Sequence, residues 1–255
     1  MLSVRRRGLA GVAAAAALLL LYACRLTRQP DTAETGASRA PTGSEPARSA
    51  APSRSRRPGT GTGPTASQLL AELRDCHQIS HGRYRSDANT AADIPVCGKN
   101  GAVFWTADLD VDCDGRPTAR CNADTDPWFQ DDTAFHRSDG RPLDAARLPY
   151  VVIPQNSSIF RYRDHDIDGG AAVAVIYRGR LEYAVFGDTG PATIIGEASY
   201  ATAEALGIDP DPATGGADSG VTCIVFAGTR VVPIDSRDRA VSVGEAAARR
   251  FVEQN

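Results

Sequence analysis

The chain has 255 residues, of which 42% are hydrophobic and 23% are charged, and its formal net charge is −3. The charge is unevenly divided, because residues 1–64 carry 10 basic and 3 acidic side chains whereas residues 65–255 carry 18 basic and 28 acidic ones. A segment this acidic, with a net charge of −10, repels nucleic acid and attracts polycations, so we expect no nucleic-acid partner.

Residues 1–24 have the features of an export signal. Arg5, Arg6 and Arg7 precede an apolar run over residues 8–22 that is too short to indicate a membrane span. The residues Leu-Tyr-Ala-Cys that end at Cys24 resemble a bacterial lipobox, which predicts lipidation of Cys24 and a membrane tether through the N-terminus. An ordinary cleaved signal peptide and an uncleaved anchor are the alternatives. Each predicts an extracellular or cell-surface protein.

Residues 25–66 predict a disordered linker. The segment is dominated by Pro, Ser, Thr, Gly, Ala and Arg and has almost no large apolar residue after Leu26. It therefore cannot bury enough surface to offset the entropy lost on ordering. Residues 67–255 remain, a length that suits one folded domain with its own core. The linker would hold this domain away from the membrane.

Five cysteines follow Cys24, and in an exported protein we expect disulfides. The spacing leads us to predict two pairs, namely Cys76 with Cys97 and Cys113 with Cys121. Cys223 lies in an apolar strand and is interpreted as a buried free thiol. None of the spacings is typical of a zinc site, and we predict no metal and no other cofactor.

The predicted elements indicate a mainly β (α+β) domain. Helices are predicted at residues 67–75, 201–206 and 242–253. Single strands are predicted at 150–154 and in a run that begins at residue 104. Two hairpins are also predicted: the first joins 171–177 to the run before Gly187, and the second joins 221–226 to 229–234. Uninterrupted apolar strands such as 171–176 predict burial on both faces. We therefore expect a single β-barrel-like domain with peripheral helices, and the double-psi barrel is one candidate topology.

Four carboxylates alternate along the strand that begins at residue 104. Asp108, Asp110, Asp112 and Asp114 share one parity and would line one face, so something positive should lie opposite them. Calcium is one candidate, because the spacing matches the start of an EF-hand loop. However, Cys121 replaces the bidentate Glu, and no helix pair flanks the loop. We favour contact with the cationic groups of a bound substrate over a metal, and a partly solvated acidic face is the alternative.

The two tryptophans are candidate platforms for a sugar. Sugar rings present flat C–H faces, so Trp105 or Trp128 could form a stacking subsite. Core packing is the alternative for each of them.

Two further carboxylates bracket a short glycine-rich stretch. Asp188 lies in Gly-Asp-Thr-Gly-Pro at the end of a predicted strand, and Glu197 follows nine residues later in Gly-Glu-Ala-Ser. Paired carboxylates are the minimum equipment for hydrolysis of a glycosidic bond, because one protonates the leaving oxygen while the other activates water or attacks. The alternative is an Asp that caps a turn and a Glu that opens a helix.

These motifs, GDTGP and IGEASY, occur together with YVVIP at residues 150–154 and DLDVDCDG at residues 108–115. Their combination and order over residues 104–232 resemble the family-75 glycoside hydrolases, which are endo-acting chitosanases. The resemblance implies an inverting hydrolase of chitosan in which Asp188 and Glu197 are the catalytic pair, with Glu197 as the general acid and Asp188 as the base. With such a substrate, the positive partner of Asp108, Asp110 and Asp112 would be the ammonium groups of the sugar, and we also expect Thr189 to contact substrate.

Two other functional classes stay open at this stage. The first is a non-catalytic module that binds a polysaccharide or the cell wall, and the second is a calcium-dependent surface domain. We expect a monomer in each case.

Overall fold

The computed structural model describes residues 63–255. The predicted export signal with Cys24, and the predicted linker as far as residue 62, therefore lie outside the described residues. Within residues 63–255, no helix combines the length and the apolar character that a membrane crossing requires.

Seven strands and three α-helices make up the described chain. The strands are β1 (Cys97–Lys99), β2 (Ala102–Asp112), β3 (Tyr150–Pro154), β4 (Ala172–Tyr177), β5 (Arg180–Gly190), β6 (Glu197–Ser199) and β7 (Ala217–Phe226). The helices are α1 (Ala66–Ala71), α2 (Tyr200–Leu206) and α3 (Arg237–Glu253), and a short 3₁₀ helix spans Tyr162–His165.

Six of the strands close into a barrel. Their order is β2, β6, β3, β5, β4 and β7, and β7 returns to pair with β2. The pairs β2–β6 and β3–β5 are parallel, and the other pairs are antiparallel. Closure removes the exposed sheet edges that an open β-sheet would have to protect. The predicted barrel is thus confirmed, whereas its double-psi type stays a prediction.

Both faces of the barrel wall are buried. Along β4, Val173 and Val175 pack in one apolar cluster, whereas Ala172, Ala174 and Ile176 pack in a second cluster that includes buried residues of α1 and α3. A strand with two buried faces has no polar face, so its sequence shows no alternation. The uninterrupted apolar run at residues 171–176 is explained in this way.

Two predicted elements near the C-terminus are wrong. Residues 229–234 do not form a strand, because β7 already pairs with β2 along one edge and with β4 along the other. The last helix begins at Arg237 rather than Ser242, since the side chain of Ser236 accepts the Arg239 N–H and caps α3 there.

The cysteines follow the predicted pairing. Disulfides join Cys76 to Cys97 and Cys113 to Cys121, and Cys223 is a buried free thiol. The second disulfide fixes the chain where it leaves β2, which is the point at which the strand delivers its last carboxylates.

Candidate active site

A cavity of about 380 Å³ opens beside β3 and contains both carboxylates of the predicted catalytic pair. Its wall combines side chains from four strands with a segment between Cys121 and Leu143 that has no regular structure. The lining residues are Asp112, Asp114, Trp128, Gln130, Asp132, Thr133, Ala134, Val152, Gln155, Asp188, Thr189, Gly190, Pro191 and Glu197.

The sheet register explains why the two carboxylates meet. Val152 of β3 lies opposite Asp188 of β5 on one side and opposite Glu197 of β6 on the other. Residues that are paired across neighbouring strands point to the same face of a sheet. Asp188 and Glu197 therefore project into one cavity from the two strands that flank Val152.

A β-bulge at Gly187 gives Asp188 this direction. Val151 pairs with Phe186 and Val152 with Asp188, so Gly187 is an additional residue of β5 with no counterpart in β3. Without the bulge, Asp188 would share the face of Phe186, which is fully buried. Glycine is required at this position because a Cβ atom would lie 2.6 Å from the Cβ of Tyr150.

Asp188 is held by the backbone and is nearly buried. Its exposed fraction is 7%, and its Oδ1 accepts the N–H groups of Ala134 and Thr189, each at 2.7 Å. Burial and, next, the charge of Asp112 raise the pKa of Asp188 to about 8, although these two hydrogen bonds act in the opposite direction.

Asp112 and Asp114 lie beside it. Asp112 Oδ1 accepts the Asp114 N–H at 2.7 Å, and Asp114 Oδ1 accepts the Gln130 N–H at 2.7 Å. Burial and the charge of Asp112 raise the pKa of Asp114 to about 9. Burial and the charges of Asp112, Asp188 and Asp114 raise the pKa of the Tyr150 hydroxyl. This hydroxyl donates a hydrogen bond to the Asp114 carbonyl oxygen at 2.9 Å.

Among residues 63–255, Asp112, Asp114 and Asp188 are the group of acidic, His or Cys side chains compact enough to hold a metal ion. Burial and mutual repulsion raise the pKa of Asp114 and Asp188, and either protons or a cation would relieve this repulsion. The absence of a metal therefore stays a prediction.

The structure brings only some of the predicted binding residues to the cavity. Asp112, Thr189 and Trp128 line it, and the Trp128 side chain is 40% exposed. A stacking role for Trp105 is wrong, because it is 2% exposed and packs in the core. Asp108 and Asp110, the two remaining predicted contacts, lie further back along β2 and do not line the cavity.

The segment between Cys121 and Leu143 supplies contacts that the sequence did not reveal. Its backbone N–H groups at Gln130 and Ala134 bind Asp114 and Asp188, and its Asp132 carboxylate bonds His136 Nε2 at 2.6 Å. The high density of Asp residues in this segment was the only available signal, since backbone donors leave no trace in side-chain identity.

Gly190 sets the position of the Glu197 carboxylate. A Cβ atom at residue 190 would lie 2.7 Å from Glu197 Oε2 and 3.0 Å from Val152 Cγ1. We expect Gly190→Ala to fold normally, since a flexible carboxylate end can move away. If Glu197 belongs to the predicted catalytic pair, hydrolysis should fall roughly 100-fold, because a catalytic group displaced by about 1 Å loses its alignment. Initial rates and melting temperatures measure the two effects.

Gly82→Ala is the matched control, because a Cβ atom there makes an ordinary contact of 3.7 Å with Ile159. It should change neither rate nor melting temperature. Full activity in Gly190→Ala would contradict the placement of Glu197.

Comparison with known proteins identifies the family of the chain. The family model described as "Fungal chitosanase of glycosyl hydrolase group 75" matches residues 109–253. Endo-chitosanase B of Aspergillus oryzae (strain ATCC 42149 / RIB 40) is 35% identical over 198 residues, which cover 68% of this chain and 82% of that protein. The endo-chitosanase of Aspergillus fumigatus is 32% identical over 165 residues, which cover 56% of this chain and 69% of that one.

A solved structure, the Streptomyces papain inhibitor (SPI), is 22% identical and aligns with 52% of this chain and 99% of its own, with a TM-score of 0.29. A score this low carries no argument. The family match extends over more than half of the chain and includes β3, β5 and β6 with both cavity carboxylates. The chain therefore belongs to family 75 of the glycoside hydrolases.

Proposed function

We propose that this protein is an exported endo-chitosanase that hydrolyses β-1,4 bonds between glucosamine residues. The family and the relatives that are named endo-chitosanases support chitosan as the substrate. The two disulfides support export, because such bonds persist in oxidising compartments. Lipidation at Cys24 and a membrane tether are part of the same proposal.

The observation that carries the proposal is the placement of Asp188 and Glu197 on opposite sides of Val152 in one cavity. Adjacent strands lie about 4.8 Å apart, so the backbones of the two residues are about 9.5 Å apart. We propose inversion from the family resemblance. An inverting enzyme holds its carboxyl groups about 6.5–9.5 Å apart, with room for a water molecule, whereas about 5 Å is typical of a retaining one.

The rest of the cavity fits a polycationic sugar chain. Asp112 and Asp132 place carboxylates on the cavity wall, where they can attract the ammonium groups of glucosamine. The exposed ring of Trp128 offers a flat surface for a sugar ring, and Thr189 can donate a hydrogen bond to it. We propose Asp112, Trp128 and Thr189 as substrate contacts on this basis.

The proposal predicts that the purified protein cleaves chitosan with inversion. Incubation with chitosan should release reducing ends from the interior of the polymer, and ¹H NMR at early times should show the α-anomer as the first product from the β-linked chain. Chitin and cellulose, which lack the free amines, serve as matched substrates and should be cleaved far more slowly. A β-anomer as first product would refute inversion, and absence of cleavage would refute the proposed function.

A further inference from the structure

Asp112 lies in the cavity wall beside Asp114 and Asp188, and the role proposed for it above is contact with substrate rather than a part in proton transfer. We propose that Asp112 is a positioning residue for the catalytic proton: its charge retains a proton on Asp188, so that Asp188 is the general acid and Glu197 is the base that activates water. This inference rests on the proposed function and reverses the roles that the family resemblance implies for the two carboxylates.

The geometry of the acidic cluster, which we define as Asp112, Asp114 and Asp188, supports this role. Each of the three residues has a carboxylate oxygen within 4.8 Å of those of the other two. Asp112 is 4% exposed and Asp188 is 7% exposed, so water screens the repulsion between them poorly. Carboxyl groups this close in a poorly solvated site repel one another when ionised, which favours a proton shared within the cluster.

The ionisable groups that the structure describes around Asp114 and Asp188 are mostly acidic. No Lys, Arg or His of residues 63–255 forms an ion pair with Asp114 or Asp188. The segment between Cys121 and Leu143 contributes Asp126 and Asp132, and His136 is the hydrogen-bond partner of Asp132. β3 contributes Tyr150, and β6 contributes Glu197. The surroundings therefore favour the neutral form of a carboxyl group.

The hydrogen bonds select the oxygen of Asp188 that carries the proton. Both backbone donors, from Ala134 and Thr189, bind Oδ1. An oxygen that accepts two N–H groups is the poorer site for a proton, so the proton of neutral Asp188 is on Oδ2. The pKa of about 8 agrees with this picture, since burial and then the charge of Asp112 are its two largest causes.

The step that follows is balanced. Asp188 Oδ2–H transfers its proton to the glycosidic oxygen as the bond from that oxygen to C1 breaks, and the bonding pair stays on the oxygen. Glu197 removes a proton from water as the water oxygen bonds to C1 from the opposite face. Asp188 is then ionised and Glu197 is protonated, and exchange with solvent restores both groups.

The test is the pH dependence of Asp112→Asn. Asparagine keeps the oxygen that accepts the Asp114 N–H but removes the charge. For soluble glucosamine oligomers, kcat/KM should fall as the pH rises through the pKa of the acid in the free enzyme, and we call this fall the alkaline limb of the pH profile. In Asp112→Asn we expect the alkaline limb to move to lower pH by at least one unit. Asp124→Asn is the control, because this exposed position has the same charge and lies outside the cavity lining. It should not shift the limb.

A second measurement needs no substrate. Infrared or ¹³C NMR titration of the carboxyl groups, with the Asp188 signal identified by its loss in Asp188→Asn, should show Asp188 protonated at pH 6 in the unaltered protein. In Asp112→Asn the Asp188 signal should titrate at lower pH.

Three results would overturn the inference. In the first, folded Asp112→Asn has the same alkaline limb as the unaltered protein. In the second, Asp188 is already ionised at pH 6 in the unaltered protein. In the third, the Asp188 carboxyl signal shifts when calcium is added. The last result would indicate a cation in place of the shared proton. Failure of the proposed function is a separate result, because it would appear as absent chitosan cleavage whatever the carboxyl titration shows.

Discussion

Asp188→Asn and Glu197→Gln should each lower kcat on chitosan by at least about 10²–10⁴-fold, which is the usual contribution of a general acid or base. The two losses should differ in one respect. A glycosidic bond with a good leaving group, such as dinitrophenolate, breaks without protonation, so a dinitrophenyl glycoside of a glucosamine oligomer does not require the general acid. We expect Asp188→Asn to regain most of its activity on this substrate. Glu197→Gln should stay inactive, because water must still be activated.

The measurement is kcat for each variant on the natural and the activated substrate. Asp124→Asn and Glu253→Gln make the same chemical changes at exposed positions and should behave like the unaltered protein. Recovery of Glu197→Gln instead of Asp188→Asn would assign the acid to Glu197, as the family resemblance implies. Near-full activity of either variant on chitosan would remove that residue from the catalytic pair.

The sequence led to both carboxylates, but not to the geometry that joins them. The sequence predicts that the strand ends near Gly187, whereas β5 continues through Gly190 and includes Asp188. The alternative role predicted for Glu197 is the start of a helix, whereas Glu197 begins β6, a strand of three residues. A strand this short has no periodicity that a sequence can reveal. Its parallel partner β2 is distant in the chain, so the pairing depends on closure of the whole barrel.

The direction of Asp188 depends on the bulge at Gly187, which alternation rules do not predict because a bulge interrupts the alternation. The position of Asp108 and Asp110 away from the cavity has a related cause. Parity along β2 correctly separated two faces, but parity does not tell which part of a long strand borders a cavity. Only the end of β2 reaches the cavity, so Asp112 lines it whereas Asp108 and Asp110 do not.

Apolar pattern and cysteine spacing were more informative. Burial on both faces of β4 and the two disulfides depend on short-range sequence features and on composition, and both predictions are confirmed. The hydrogen bonds from Gln130 and Ala134 are the opposite case. Any residue except proline offers the same backbone N–H, so nothing in the sequence marks these two positions.

Asp188→Asn and Asp114→Asn should make the folded domain more stable at pH 8, while Asp188→Asn abolishes most hydrolysis. The pKa of both carboxyl groups is higher in the folded protein, at about 8 and about 9, than the ordinary value of 3.8. The native state therefore binds more protons than the unfolded state between about pH 4 and pH 9, and the free energy of unfolding falls as pH rises through this range. Asparagine does not ionise and keeps the Oδ1 acceptors, so each substitution removes this loss.

We expect a gain of at least about 2 kcal/mol at pH 8, which corresponds to a melting temperature roughly 4–8 °C higher for a domain of this size. At pH 4 the gain should nearly vanish, because the carboxyl groups are then neutral in the folded protein. Melting temperatures at pH 4, 6, 8 and 9 measure the difference, and Asp124→Asn should follow the unaltered protein throughout. Parallel curves for Asp188→Asn and the unaltered protein would show that Asp188 ionises freely in the fold. A widening gap with rising pH would show that the domain gives up stability to keep protons where hydrolysis needs them.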